Sequence, residues 1–397
     1  MSIPDLQSYG FDSDYQAVYD AAYRYARDEL YELSIKMDDE DWFPEAEFRA
    51  LAEQGLLGVT IPDEYGGAGL DVLAQCFISE AVAYWNHSIT ASMMGSDNLC
   101  ADNIVRNANE DQKRTYLPSF CNGTAIGALG MTEPGAGSDA LGSMATTARR
   151  DGDDYILNGR KLFITNGPVA DVLLIYAKTD LEKKQHGISA FIVEKSFEGF
   201  SVAQKLDKMG WRGSPTGELV FDDCRVPAGN LVGDENRGNV VMMSGLDVER
   251  VIVAFFGIGQ AQRAFDLALE YATQRRQFGR AIGDFQMIQG MLADMYTDIE
   301  TARALTYQVG REISDITRGE GGRGIIHQRS AATLLAVGRC LMRVLDQAVQ
   351  IHGGMGFMRE SEVNRLYRSG KVMEIGAGTN QVRQMIIARE LLSGVAV

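Results

Sequence analysis

The sequence predicts a mainly α protein with a central β-domain, in three consecutive parts: a helical domain over 1–123, an antiparallel β-barrel or sandwich domain over 124–236, and a helical bundle over 237–397. Three observations carry this order. Apolar residues recur with helical spacing in the first third, the texture changes near Thr124 to short β-rich runs separated by turn signals, and helical periodicity returns beyond Asn239.

In the first part Tyr15, Val18, Ala22, Tyr25 and Leu30 recur at spacings of three to five, and Phe48, Leu51, Leu56 and Leu57 continue the pattern. The run Pro62-Asp63-Glu64-Tyr65-Gly66-Gly67 interrupts it as a loop. The middle part holds Asp154–Leu157, Val172–Tyr176 and Ile188–Val193 as strands, with turns expected at Asp151-Gly152, Asn158-Gly159 and Asn166-Gly167, ending near Val232-Gly233. The third part runs to Leu392, broken by the Gly-rich stretch Gly319–Gly324 and by His352-Gly353-Gly354-Met355-Gly356. The sequence contains no internal repeat.

With 397 residues, 45% of them hydrophobic, the chain can bury a large core. A formal net charge of -16 argues against nucleic-acid binding, which needs a basic surface. The five cysteines, Cys76, Cys100, Cys121, Cys224 and Cys340, show no CxxC or zinc spacing, so buried free thiols in a reducing compartment are expected and no metal. Met1–Tyr9 lacks the basic and apolar regions of a secretory signal, and the longest apolar stretch, Val251–Gly259, is too short to span a bilayer. A cytoplasmic protein without membrane insertion is the expectation.

Two glycine-rich polar turns stand far apart in sequence: Met131-Thr132-Glu133-Pro134-Gly135-Ala136-Gly137-Ser138-Asp139 and Glu374-Ile375-Gly376-Ala377-Gly378-Thr379. Hydroxyls and backbone N–H groups in such turns suit a flat heteroaromatic ring and a nearby phosphate or carbonyl, although each alone is also an ordinary structural loop. Further runs accompany them: Phe163-Ile164-Thr165-Asn166-Gly167, Met209-Gly210-Trp211-Arg212-Gly213-Ser214 with Val226-Pro227, Arg275-Arg276-Gln277-Phe278-Gly279 with Phe285-Gln286, Gln350-Ile351-His352-Gly353-Gly354-Met355-Gly356, and Gly378-Thr379-Asn380-Gln381. In this order they closely resemble the motifs of the acyl-CoA dehydrogenase family, over nearly the whole chain.

The resemblance implies a flavoprotein with an N-terminal helical domain, a middle β-domain and a C-terminal four-helix bundle, assembled as a homotetramer, acting on acyl-CoA and passing electrons to an electron-transfer flavoprotein. FAD would lie between the β-domain and the C-terminal helices, partly clasped by a neighbouring subunit. By family match Leu129, Met131, Thr132, Phe163 and Thr165 form the isoalloxazine wall. Arg275, Phe278, Gln286, Gln350, Gly353 and Gly354 match positions holding the adenine nucleotide half and pyrophosphate, and Thr379 and Gln381 match the last FAD contacts. Ser138 stands at the cofactor side and matches a contact to the thioester arm. Arg275 with Asp284 also reads as a surface ion pair, and Phe278 as ordinary core.

Dehydrogenating a saturated acyl-CoA requires a base for a weakly acidic α-proton, best a carboxylate in an apolar pocket. In many members of the family a glutamate immediately precedes the final Gly-Thr; here Ala377 stands there. A second placement, on the helix opening the C-terminal domain, corresponds to Glu249. Gly245, Leu246, Ile252 and Val253 give Glu249 an apolar helix face, costly for a carboxylate unless it is used or paired. Pairing or reaching solvent is the plain alternative; the vacancy at Ala377 and the surrounding motif favour catalysis. Asp247 and Arg250 are spaced to pair, with Arg250 also placed to orient the substrate arm. Glu133 and Glu374 are expected to be structural, satisfying backbone N–H groups. The thioester oxygen is expected to meet the backbone N–H at Ala377.

Glu249 combined with Gly376, Ala377 and Gly378 resembles the members of the family acting on 3-methyl-branched, isovaleryl-type chains, and Leu99 also fits that pattern. Two departures bear on the acyl chain: Phe255-Phe256 replaces a Gly-Gly pair, and Val240 replaces a tyrosine. The two phenylalanines either block the distal pocket or pack the bundle core, and core packing is favoured. A longer branched, citronellyl-like chain and a medium or long straight chain stay open, as do an acyl-CoA oxidase and a noncatalytic acyl-CoA-binding protein.

Overall fold

The computed structural model describes residues 4–314 and 323–394. The N-terminal part is helical: α1 (Ser13–Tyr25), α2 (Tyr31–Glu40), α3 (Glu45–Ala50), α4 (Val72–Trp85), α5 (His87–Met93), α6 (Asp102–Asn107) and α7 (Glu110–Cys121). Asp71 starts α4 by accepting the Ala74 N–H at 2.8 Å, and Asn86 starts α5 by accepting the Ile89 N–H at 3.0 Å. A π-helical segment, Met94–Ala101, joins α5 to α6; such wide turns are rare and concentrate at functional sites. Helix α4 is predominantly apolar because it is buried on nearly every side, between α1 and the long helix α8 (Gly238–Gln274).

An eight-stranded sheet follows: β1 (Gly127–Gly130), β2 (Thr147–Asp151), β3 (Asp154–Thr165), β4 (Val172–Lys178), β5 (Ile188–Glu194), β6 (Phe200–Lys205), β7 (Thr216–Pro227) and β8 (Leu231–Val232). The main order is β6-β7-β3-β2-β4-β5-β8, with β1 alongside β4. Most pairings are antiparallel, as the hairpin signals predict, but β1 runs parallel to β4 and a single parallel bridge joins Thr147 to Lys178. Strand β4 is buried on both faces, which is why it reads as an unbroken apolar run. Leu173, Ile175 and Ala177 face Tyr155 and Phe191, while Leu174 and Tyr176 face the core shared with α6 and α7.

The turn expected at Asn158-Gly159 is not a turn. Both residues lie inside β3, where the register to β7 shifts between Leu157 and Gly159, and Gly159 takes φ +149°. A Cβ at Gly159 would stand 2.5 Å from Thr146 Oγ1, so the glycine serves a bulge and a close approach rather than a reversal. Asp151-Gly152 does reverse the chain between β2 and β3, and Asn166 does turn with φ +62°.

Beyond α8 a two-stranded ribbon, β9 (Arg276–Gln277) and β10 (Arg280–Ala281), leads into α9 (Gln286–Ser314), then α10 (Gly324–His352), α11 (Gly354–Phe357), α12 (Glu362–Gly370) and α13 (Asn380–Ser393). Helix α10 packs against α8, α9 and α13, completing a bundle. The Gly-rich break falls outside the described residues except at its end, Arg323-Gly324. Among the described residues no helix is long and apolar enough to cross a membrane, and no group of side chains is placed to hold a metal ion. Cys76, Cys100, Cys224 and Cys340 are buried free thiols, and Cys121 is half-buried.

Phe255 and Phe256 pack in the core, in opposite directions. Phe255 meets Phe77 of α4 edge-on at 5.3 Å and stacks on Tyr307 of α9 at 5.3 Å, uniting the N-terminal helices and the bundle in one core. Phe256 stacks on Trp211 at 5.3 Å, tying the bundle to the loop before β7.

Candidate active site

Glu249 lies about three turns into α8 and is only 9% exposed. Ile252 and Val253, one turn on, are buried, and Gly245, one turn back, lets Asn103 of α6 approach. Burial pushes the Glu249 carboxyl up to about 7, opposed by the charges of Arg250 and Arg383. Among the described residues Glu249 makes no hydrogen bond or ion pair, so it is not the paired glutamate of the plain alternative.

Asp247 and Arg250 form the spaced ion pair, at 2.9 Å, but deep inside the protein. Asp247 Oδ1 also accepts from Ser330 Oγ at 3.0 Å and lies 2.7 Å from His327 Nδ1, both on α10. Arg250 thus points inward, its terminal nitrogen on Asp247, while its Nε has no partner. His327 and Ser330 carry no motif and are visible only once α10 is laid against α8.

The terminal turn adopts a strained backbone. Ala377 has φ +52° and Gly378 φ +86°, and Thr379 then caps α13 by accepting the Val382 N–H at 3.2 Å. No hydrogen bond engages the Ala377 N–H among the described residues. Arg383, fully buried on α13, staples this turn: it donates to the carbonyls of Met373 (2.8 Å) and Gly376 and to Asn380 Oδ1 (2.9 Å). Burial, with Arg250 nearby, lowers its pKa to about 10. Glu374 pairs with Lys371 and accepts from Asn380 Nδ2 at 3.1 Å, so its partners are side chains rather than the expected backbone N–H groups. Arg383 escaped the sequence reading because a lone arginine in a helix gives no signal of what it reaches.

Residues Leu129 to Ser138, the wall expected from the sequence, form a closed turn after β1. Glu133 and Ala136 exchange backbone hydrogen bonds at 3.1 and 3.0 Å, closing the Pro134-Gly135 turn. The Glu133 carboxylate is buried and accepts from the backbone of Ala145 and Thr146 and from Lys161 Nζ at 2.8 Å. This is the structural role expected of it. Lys161 Nζ also reaches the Met131 carbonyl at 3.3 Å, and Leu162 N–H binds the Thr132 carbonyl at 2.8 Å, so β3 fixes the wall. Burial lowers the Lys161 pKa to about 8 against the pull of Glu133.

Phe163, in a second bulge of β3, has φ +62° and is 64% exposed. A bulky side chain in the left-handed region, with its ring toward solvent, is a strained arrangement that invites a functional reading. Leu129, Met131, Thr132 and Thr165 are half-buried, and Ser138 is exposed. Asn166, buried, donates to the carbonyls of Ser92 (2.8 Å) and Gly127 (3.0 Å), locking this sheet edge to α5.

A separate cleft of about 750 Å³ opens where the β9–β10 ribbon meets α9 and α10. Gln286 and Gln350 line it together, with Phe285 of the same motif and with Arg280 and Met287, which the sequence reading had not singled out. Arg275, Phe278, Gly353 and Gly354 are exposed but not part of its lining, nor is any residue of the Leu129–Thr165 wall. Phe278 is 93% exposed, so it is not core. Gln381 is exposed at the start of α13; Leu99 is half-buried in the π-helical segment; Val240, in the first turn of α8, is exposed.

Comparison with known proteins fits this geometry. Models for the acyl-CoA dehydrogenase N-terminal, middle and C-terminal domains match residues 12–124, 128–224 and 236–392. The chain is 42% identical to a mitochondrial isovaleryl-CoA dehydrogenase of Solanum tuberosum over 96% of its own length and 91% of that protein. Among solved structures it is similar to a chain of the electron transferring flavoprotein structure of Acidaminococcus fermentans (TM-score 0.92, 37% identity, 99% of this chain and 100% of that one). It is also similar to the FAD complex of PigA (TM-score 0.90, 28% identity, 98% and 99% covered). A buried carboxylate on α8, a stapled terminal turn and three consecutive domain matches lead to one conclusion: the chain is an enzyme of the acyl-CoA dehydrogenase family.

Proposed function

We propose that this enzyme binds FAD and oxidises a short, 3-methyl-branched acyl-CoA to the 2-enoyl-CoA, with Glu249 as base and an electron-transfer flavoprotein as acceptor. The observation that carries the reading is Glu249 itself: a buried carboxyl raised to about 7 on α8, while the terminal turn offers only the methyl of Ala377.

The residues fit a flavin. An exposed, left-handed Phe163 and the fixed edge of Met131 and Thr132 offer a flat surface with polar neighbours, which Leu129 and Thr165 extend. Gln286 and Gln350 would hold the nucleotide half in their cleft, with Arg275, Phe278, Gly353, Gly354, Thr379 and Gln381 as further contacts. Bound there, the flavin would supply the acceptor for the β-hydrogen as hydride.

The protein's own groups perform the rest. Glu249 takes the α-proton onto a carboxylate oxygen whose affinity for it burial has raised. The Ala377 N–H, not otherwise engaged, hydrogen-bonds the thioester oxygen as negative charge develops there. Ser138 reaches the thioester arm from the exposed side, and the Asp247–Arg250 pair braces the helix turn carrying Glu249. Leu99, Val240, Gly376 and Gly378 border the acyl chain. The exposed Phe278 and Met287 (85%) beside the nucleotide cleft support a homotetramer in which a neighbouring subunit covers them.

Anaerobic titration of the flavin absorbance with matched branched and straight acyl-CoA series tests the substrate assignment. The expected result is fastest bleaching by short 3-methyl-branched thioesters, with a product lighter by two hydrogens; faster bleaching by straight chains at every length would overturn the assignment.

A further inference from the structure

A small chamber lies between α4, the π-helical segment and α8, with a volume of about 10 Å³, room for one water-sized group. Its wall is unexpectedly polar. Gln75, Ser79, Asp97 and Asn98 line it together with Met94 and Ile252. All four polar residues are more than nine-tenths buried. Gln75 Oε1, Asp97 Oδ1 and both side-chain atoms of Asn98, Nδ2 and Oδ1, have no hydrogen-bond partner. Buried polar atoms are nearly always paired, so four orphans around one chamber mark a place built for a hydrogen-bonding guest.

The chamber adjoins the site of Glu249. Ile252 stands three residues after Glu249 on α8, hence on neighbouring positions of one helix face. Met94 lines the chamber and packs against the same core that receives Ala377.

We propose that the chamber is the distal subsite of the acyl-binding site and that it accepts a single uncharged hydrogen-bonding group, a hydroxyl at the end of the acyl chain. The proposal rests on the reading of Glu249 as base. A hydroxyl both donates and accepts, matching an Asn98 amide that offers one of each and a Gln75 oxygen that accepts. Asp97 already accepts the Gly58 N–H at 2.7 Å through its other oxygen, and burial pushes its carboxyl up to about 7, so below that pH its free oxygen can donate. The lining holds no lysine or arginine, so a carboxylate at the chain end would be buried without a counter-charge. A methyl end would leave all four polar atoms dry and unpaired. With no such chain bound, the same place has room for one water.

The test measures kcat/KM for anaerobic flavin reduction of the holoenzyme by two acyl-CoA series of graded length, one ending in methyl and one in hydroxyl. The expected result is a length at which the hydroxyl member exceeds its methyl counterpart by about tenfold or more, since a site built to hydrogen-bond a hydroxyl discriminates strongly against its absence. Asn98→Leu and Gln75→Met should each bring that ratio toward one, a readout that general loss of activity or stability does not move. A methyl preference at every length, or a ratio unchanged in both variants, overturns the subsite. Failure of both series to reduce the flavin removes instead the acyl-CoA reading on which the subsite rests.

Discussion

Arg383 and Glu249 act on each other as opposite buried charges without meeting as an ion pair. The guanidinium is occupied with the carbonyls of Met373 and Gly376, so one residue holds the terminal turn in place and also opposes the upward shift of the Glu249 carboxyl. In Arg383→Met the carboxyl loses that opposing charge, and the rising limb of kcat/KM against pH should move up by about one pH unit. Arg383→Lys keeps the charge and should move it less. A pH profile of anaerobic flavin reduction measures both; an unmoved limb in Arg383→Met would show that the charge does not reach Glu249.

Three buried carboxyls, Glu80, Asp97 and Glu249, are each raised to about 7, chiefly by burial. Their unfolded values lie near 4 to 4.5. The folded protein therefore binds more protons than the unfolded chain between those limits, and stability falls as pH rises through this window. Melting temperatures of the apoprotein should decline from pH 5 to pH 7. In Glu249→Gln the decline should be shallower, because one of the three groups is gone.

Phe163 holds a left-handed backbone that only glycine adopts freely. Phe163→Gly should relieve roughly 1 kcal/mol of strain, less what the added backbone freedom of the unfolded chain takes back. Flavin affinity should fall about tenfold or more as the ring is lost. Thermal melting of the apoprotein and fluorescence titration with FAD separate the two effects. Unchanged FAD affinity would remove Phe163 from the flavin wall.

Lys161 and Glu133 form a buried pair behind that wall, with side chains 0% and 4% exposed. Lys161→Met leaves Glu133 buried with only its two backbone donors, and should destabilise the protein by about 3 kcal/mol or more. The double variant Lys161→Met with Glu133→Gln should recover part of that loss, because no uncompensated charge remains. Urea unfolding of the two variants and the native protein gives the comparison.

The three-part order was legible because each part announces itself in local pattern: the helical spacing from Tyr15, the β-run Val172–Tyr176 and the long periodicity after Asn239. The burial of Glu249 was legible for a different reason, a carboxylate on an apolar helix face. Long-range placement was not legible. Asn158-Gly159 has the composition of a turn, yet pairing with β7 carries β3 straight through it as a bulge. The partners of Asp247 on α10, the reach of Arg383 to Gly376, and the meeting of Gln75 with Asn98 all depend on how helices distant in sequence pack. No spacing within one element encodes those contacts.

The central claim is that Glu249 removes the α-proton. Glu249→Gln keeps the shape and removes the basic oxygen, so the purified variant should retain its flavin absorbance while anaerobic bleaching by isovaleryl-CoA slows by about a thousandfold or more. Bleaching at the native rate by a flavin-loaded Glu249→Gln enzyme would contradict it.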